Sequence, residues 1–333
     1  MKIAVDAMGG DHAPKVVVEG VMKARDQWPD LEFMMFGDRE KVAPYLTDET
    51  RIEFIQANSV ITNEDEPVKA VRQKKDSSMV MAAQAVKAGQ AEALFSLGNT
   101  GALLATGIFV IGRIKGIERP ALMPTLPTVN AGHVVNLLDC GANAESKASY
   151  LEQWAIMGSI YARDIRQIAS PRVALLNNGT EFDKGDPLHQ EVYQRLQNNP
   201  ALNFIGNIEA GNLLQDQADV IVSDGFTGNA VLKATEGMAS LLLNLIKSTL
   251  LSGGFSVKLG AAMIKPALGE IKGRFSTSDN GGAVLLGVNA PVIKTHGGSD
   301  EDAVISTIGQ IREMLAKQTI PQVIDYLKTH DIK

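Results

Sequence analysis

Cysteine is nearly absent: Cys140 is alone in 333 residues. A lone thiol excludes an intramolecular disulfide and fits a reducing, cytoplasmic setting; in an apolar strand end it reads as a small core residue. The five histidines are scattered, with no His/Cys cluster at metal-ligand spacing. Dispersed aspartates alone are weak ligand evidence, so neither a metal nor another cofactor is expected. No uninterrupted apolar run reaches about 18 residues, which argues against a spanning helix. No apolar leader follows Met1-Lys2, so no secretory signal is expected. Positive charge is not in excess either: the formal net charge is −6, which argues against a nucleic-acid partner. Finally, no repeat, low-complexity tract or Gly/Ser linker divides the chain. Residues 1–333 are therefore read as a single two-lobed α/β domain whose lobes share a sheet.

What is present is an alternation. Short apolar runs at 2–5, 31–36, 51–55, 93–95, 134–138, 172–176, 203–205, 219–222 and 292–295 read as strands. Helical patterns at 77–88, 147–166, 187–197 and 303–317 lie between them. Several strands are apolar throughout, as strands covered on both faces are. The fold expected is a mostly parallel sheet with helices on both faces.

In such sheets ligands gather beyond the carboxyl ends of strands. Here those ends carry more polar residues than turning requires: "DAMGGDHAP", "SLGNTGALLATG", "DCGANAESK", "NNGTEFDKGD", "SDGFTGNAVLK" and "HGGSDED". Each joins glycine to small hydroxyl, amide or carboxylate residues. Glycine lets backbone approach a ligand, and the first N–H groups of a helix donate to anions. Any one loop is explained by ordinary turn and capping chemistry, and Asp6, Asp11, Asp139 and Asp224 also read as loop-stabilising residues. Repetition at successive strand ends favours a site. His12 and His296, which sit in glycine-flanked strand-end loops, join it as candidates.

These passages, with "KKDSSM", "RPALMPTLPT", "GNIEA", "GGAVLLGV" and "PVIKTHGGSD", run in order from Val5 to about Asp300. Together they resemble the bacterial phosphate acyltransferases of phospholipid synthesis (acyl-acyl-carrier-protein:phosphate acyltransferase, the PlsX family). The resemblance implies attack of inorganic phosphate on the thioester of an acyl-acyl carrier protein, giving acyl phosphate and free carrier. It also implies an α/β/α fold like that of isocitrate and isopropylmalate dehydrogenases. Such chemistry needs donors for phosphate, donors for the developing oxyanion, and a partner for the leaving thiolate. Asn99, Thr100, Asn177, Asn178, Thr180, Thr227 and Asn229 suit the first two tasks. Lys184 and His189 suit the third, and Lys184, His189 and Asn229 form the expected catalytic set. Asp6, Gly9, Gly10, Asp11, His12, Asp224 and His296 are expected to bind substrate beside them. Two alternatives remain: an NAD-dependent decarboxylating dehydrogenase of similar fold, and a non-catalytic regulator that binds acyl carrier protein.

Residues 226–274 stand apart. Between Val231 and Leu251 the apolar residues fall on more than one helix face, so burial on most sides is expected. A second apolar helix pattern follows "SGG". The expected element is a protruding helical hairpin that forms a homodimer. Its tip, 250–265, carries Leu250, Leu251, Phe255, Val257, Leu259, Met263 and Ile264, near Lys247, Lys258, Lys265, Lys272 and Arg274 and a single acid, Glu270. Apolar residues ringed by basic ones suit an anionic membrane surface. The expected location is cytoplasmic and peripheral to the inner membrane face, where a membrane-bound glycerol-phosphate acyltransferase would consume the product.

Overall fold

The computed structural model describes residues 1–274 and 281–330. The chain opens with β1 (Lys2–Asp6), α1 (Lys15–Gln27), β2 (Glu32–Gly37), a short α2 (Arg39–Val42) and β3 (Ile52–Gln56). Next come α3 (Pro67–Gln73), α4 (Ser78–Lys87), β4 (Ala93–Ser96) and α5 (Thr100–Thr106), which continues into a π-helical turn, Gly107–Ile111. Then β5 (Ala121–Met123), β6 (Thr125–Pro127), β7 (Val134–Leu138), α6 (Ala148–Ile165), β8 (Arg172–Asn177), α7 (Pro187–Asn198), β9 (Asn203–Glu209) and β10 (Val220–Val222) follow. Two long helices, α8 (Gly225–Ser252) and α9 (Phe255–Arg274), precede β11 (Ala283–Leu286), β12 (Val292–Lys294), α10 (Glu301–Ala316) and α11 (Thr319–His330).

The strands make two sheets, where one shared sheet was expected. Their orders are β3-β2-β1-β4-β12-β11-β5 and β6-β7-β10-β8-β9. Both are mixed, because β11 runs antiparallel to both its neighbours and β6 runs antiparallel to β7. The change of sheet occurs within "ALMPTLP": Pro124 offers no N–H, so the ladder ends at β5 and resumes at β6. Prolines at 120, 124 and 127 disguised both strands in the sequence pattern, which had placed no strand there.

One core nonetheless runs through both sheets. Ile3, Val5, Phe33 and Phe95 of the first sheet and Leu138, Val173, Leu175 and Val222 of the second belong to the same buried cluster. The helix α6 supplies Leu151, Trp154 and Tyr161 to it, all fully buried. Trp154 satisfies its indole N–H on the Arg119 carbonyl at 2.8 Å, and the Tyr161 hydroxyl accepts from Gln310 Nε2 at 2.7 Å. The outer faces carry separate clusters, with α3, α4 and α5 on the first sheet and Val231 and Leu232 of α8 on the second. Cys140 lies in this last cluster, and burial pushes its thiol well above its ordinary range.

Of α8, only Gly225 and Gly228 are buried. Met238, Leu241, Leu242, Leu245, Ile246, Leu251, Val257, Leu259, Met263 and Ile264 are exposed, Met263 by 78%. Lys247 and Lys265 are exposed with them. The side chains of Phe255, Lys258, Glu270, Lys272 and Arg274, which the tip expectation used, lie outside the described part.

The crossing of α1 and α10 depends on a missing side chain. A Cβ on Gly20 would lie 2.6 Å from Val304 Cβ, so Gly20→Ala should lower stability by about 1–3 kcal/mol. In contrast, nothing lies within 4 Å of a Cβ on Gly237 in α8. Gly237→Ala should therefore raise stability by about 0.5–1 kcal/mol. Urea unfolding of the two variants checks both signs.

Candidate active site

The carboxyl ends of β1, β4 and β12 are adjacent, and their loops interlock. Asp6, at the end of β1, is buried and accepts from Ser78 Oγ at 2.5 Å, Ser96 Oγ at 2.7 Å and Met8 N at 3.2 Å. Burial raises its carboxyl above the ordinary range, while these hydrogen bonds and the Lys294 charge oppose the shift. Asp6 thus organises the turn from within. Gly9 passes so close to the β4 loop that a Cβ would lie 2.5 Å from Gly98 N. Gly10 has φ +108°, a conformation that favours glycine. Asp11 N donates to the Gly297 carbonyl at 2.8 Å, which joins the β1 loop to the β12 loop.

Asn99 is engaged at both ends of its amide. Its oxygen caps α5 by accepting from Ala102 N at 3.0 Å, and its Nδ2 donates to the Thr62 carbonyl at 3.0 Å. The expected substrate donor is therefore a structural brace in this conformation. Thr100 and His12 are exposed. His296 is exposed too, with Nδ1 accepting from Gly298 N at 3.1 Å.

A second group forms at the carboxyl ends of β7, β8 and β10. Asp139 is buried, and its two oxygens accept from Leu122 N at 2.8 Å, Ala142 N at 3.2 Å, Asn143 N at 2.8 Å and Asn143 Nδ2 at 3.0 Å. Against this knot sits the start of α8. A Cβ on Gly225 would come within 2.1 Å of the Asn143 carbonyl oxygen, and one on Gly228 within 2.1 Å of that of Asp139. The pattern "DGFTGN" is thus read in full. Asp224 caps the helix, accepting from Phe226 N at 3.1 Å and Thr227 N at 2.9 Å. The two glycines admit the β7 loop. Asn229 is half-buried beside Gly141, where a Cβ on that glycine would meet its Cγ at 3.1 Å.

Because Asp224 caps the start of α8, that end of the helix already faces a carboxylate. Thr227 and Asn229 then offer side chains rather than a bare helix terminus. The other oxygen of Asp224 faces His189 Nε2 at 3.7 Å, while His189 Nδ1 lies 2.7 Å from Asp186 Oδ1. With Nδ1–H donating to Asp186, Nε2 faces Asp224 as an acceptor when neutral and as a donor when protonated. His189 is 13% exposed, and its own backbone N–H bonds to Asp186, the first cause holding that carboxyl below its ordinary range.

Asn177 braces its loop, donating to the Lys184 carbonyl and Asn207 Oδ1, each at 3.2 Å, and accepting from Asn178 N at 2.9 Å. Asn178 and Thr180 are exposed. Lys184 Nζ lies 3.9 Å from Glu181 Oε1, a loose pair that leaves the ammonium half in solvent.

The two groups are linked along α8. Glu236, two turns on from Asn229, lies within electrostatic reach of His296 in the β12 loop; desolvation raises its carboxyl, opposed by His296 and Lys233. Sequence reading overlooked Glu236, and it also overlooked Lys294. The signal for Lys294 was a lone cation ending the apolar β12, "PVIK". Cavities of about 720 and 830 Å³ lie elsewhere, one at the opposite ends of β7 and β8 and the other beside Glu191 and Pro200. Among the described residues no group of three or more His, Cys, Asp or Glu could hold a metal, and no helix is long and apolar enough to cross a membrane.

The architecture is that of phosphotransacylases. A phosphotransacetylase from Streptococcus pyogenes superposes with TM-score 0.60 at 18% identity, over 96% of this chain and 94% of that one. A branched-chain phosphotransacylase from Enterococcus faecalis V583 gives 0.59 at 14%, over 95% and 99%. At such identities the likeness concerns fold alone. Sequence goes further: the model of the family described as fatty acid synthesis protein matches residues 1–322, and this chain belongs to that family. A phosphate acyltransferase from Latilactobacillus sakei is 55% identical, covering 98% of this chain and 97% of the relative. Another from Lactobacillus gasseri is 56% identical, covering 98% of both.

Removing the cap on α8 tests its structural part. Asp224→Ala should destabilise by about 0.5–2 kcal/mol, whereas Asp224→Asn keeps a capping oxygen and should recover most of that loss. Equal melting curves for the alanine variant and wild type would contradict the assignment.

Proposed function

We propose that the protein transfers a fatty acyl group from acyl-acyl carrier protein to inorganic phosphate, giving acyl phosphate for phospholipid synthesis. The observation that carries this reading is near-full-length identity above 50% to phosphate acyltransferases. The loop chemistry supports it. A phosphate oxygen attacks the thioester carbonyl, the carbonyl electrons move to oxygen, and the C–S bond breaks as they return. Phosphate is itself the nucleophile, so no enzyme nucleophile is needed. In this reading Asn229, beside Gly141, and Thr227 supply donors toward the developing oxyanion. Lys184 and His189 stand on the side of the leaving sulfur, His189 oriented by Asp186 and Asp224. Asn178, Thr180 and Thr100 are exposed donors suited to phosphate, and the β1 loop, with Gly9 and Gly10, closes the site from the other sheet. We assign Asp11, His12 and His296 to that second wall.

We also propose that α8 and α9 pair with their copies in a homodimer, and that 250–265 touches an anionic membrane surface. Eleven exposed large apolar side chains among the described residues of these helices, Phe226 included, support partners for them. A cytoplasmic, peripheral location would deliver acyl phosphate to a membrane-bound glycerol-phosphate acyltransferase. The two-lobed organisation, and kinship with the isocitrate and isopropylmalate dehydrogenase architecture, belong to the same reading.

The direct test is purified protein with acyl-acyl carrier protein and labelled phosphate, followed by trapping of acyl phosphate with hydroxylamine. Asn229→Ala should lower kcat by about 10²–10³, the effect of one lost transition-state donor, with little change in melting temperature. Wild-type turnover in both Asn229→Ala and Lys184→Ala at saturating phosphate would remove those residues from the mechanism. For the membrane claim, wild type should co-sediment with anionic liposomes and Leu251→Glu/Val257→Glu should not. Equal binding by the two proteins, or none by wild type, would refute it.

A further inference from the structure

Lys294 ends β12 beside Ser96, the last residue of β4. Its ammonium donates to the Leu97 carbonyl at 3.3 Å and to the Thr295 carbonyl. Each carbonyl starts one of the site loops: Leu97 precedes Gly98-Asn99-Thr100, and Thr295 precedes His296-Gly297. The third loop, after β1, is seated on these two through Gly9 against Gly98 and Asp11 against Gly297. The charged groups acting on the ammonium are Asp11 and Asp6, from that loop and β1, and both favour its charged form. The flanking strands β4 and β11 contain no titratable side chain. His296, two residues on, is exposed with its ring turned to Gly298 N.

We propose that Lys294 is a positioning residue for acyl transfer, its ammonium holding the β4 and β12 loops in the one arrangement that completes the wall contributed by the first sheet. This rests on the function proposed above. A cation used only for folding would be badly chosen here. Burial pushes Lys294 down to about 8 from its ordinary 10.5, against the pull of both carboxylates. Between those two values the unfolded chain holds a proton that the folded chain has released. This group's contribution to stability therefore rises with pH across that window. The loop contacts behave oppositely, since a neutral amine holds two carbonyls more weakly than an ammonium. Activity and stability should thus part company as pH rises through about 8.

The experiment measures initial rates of acyl phosphate formation and melting temperature from pH 6.5 to 10 for wild type, Lys294→Met and Lys294→Arg. Wild type should lose kcat/KM above about pH 8 while its melting temperature, relative to Lys294→Met, rises. Lys294→Met should be reduced about 10²-fold at pH 7.5, the scale of a loop displaced by about 1 Å, and should lack the alkaline limb. Lys294→Arg, charged throughout, should recover part of the rate and also lack the limb. Unchanged kcat/KM in Lys294→Met, or a limb near pH 8 that persists in Lys294→Arg, overturns the inference alone. If Lys294→Met does not fold, the wild-type and Lys294→Arg profiles decide. Wild-type protein that forms no acyl phosphate overturns the functional reading, and the inference falls with it.

Discussion

The carboxylate of Asp139 is the constraint on which the site depends. One oxygen accepts from Leu122 N in the first sheet and from Ala142 N, and the other binds Asn143 twice. A buried carboxylate is costly to desolvate, and here that cost raises its protonation range despite four donors. What the fold gains is geometry. β5 and β7 are held together where the chain changes sheets, and the loop after β7 becomes a rigid floor. The start of α8 then packs on that floor at a distance only glycine permits, at Gly225 and Gly228. Asn229, Thr227 and Asp224 take their places from this contact, and His189 takes its second partner from Asp224.

Polar residues at the strand ends divide by task. Asp6, Asp139 and Asn99 spend their hydrogen-bonding capacity inside the protein, where an unpaired polar atom is expensive, and half-buried Asn177 braces its own loop. Thr100, Asn178, Thr180, His12 and His296 face solvent. Residue type alone does not divide the two classes, because Asn, Asp and Thr cap helices and close turns by the same donors and acceptors that bind ligands. Sequence reading therefore picked out the strand-end loops and could not separate brace from exposed donor within them. Asn99 shows this clearly: its place before α5 marked it as a cap and as a phosphate donor equally well.

The long helices show another limit. An apolar surface on most sides of α8 implied burial, yet within one chain these residues are exposed. Periodicity reports that a face needs cover without saying what covers it. Lys294 and Glu236 escaped notice for a related reason. A charge ending a strand, or midway along a helix, looks like surface until the facing element is known.

By itself, the sequence determined the alternation of strands and helices, the loops at the strand ends and the full-length family likeness. Those features live in local period, turn residues and linear motif, each complete within a few tens of residues. Only tertiary structure decided that there are two sheets instead of one. Pro124 interrupts a ladder in either arrangement, and the new partner, β7, is chosen by packing rather than by any local pattern. Tertiary structure also decided that Asp224 caps a helix while facing a histidine 35 residues earlier, and that Lys294 ties two loops nearly 200 residues apart. Distance, burial and charge between such groups are properties of packing, and no pattern along the chain encodes them singly.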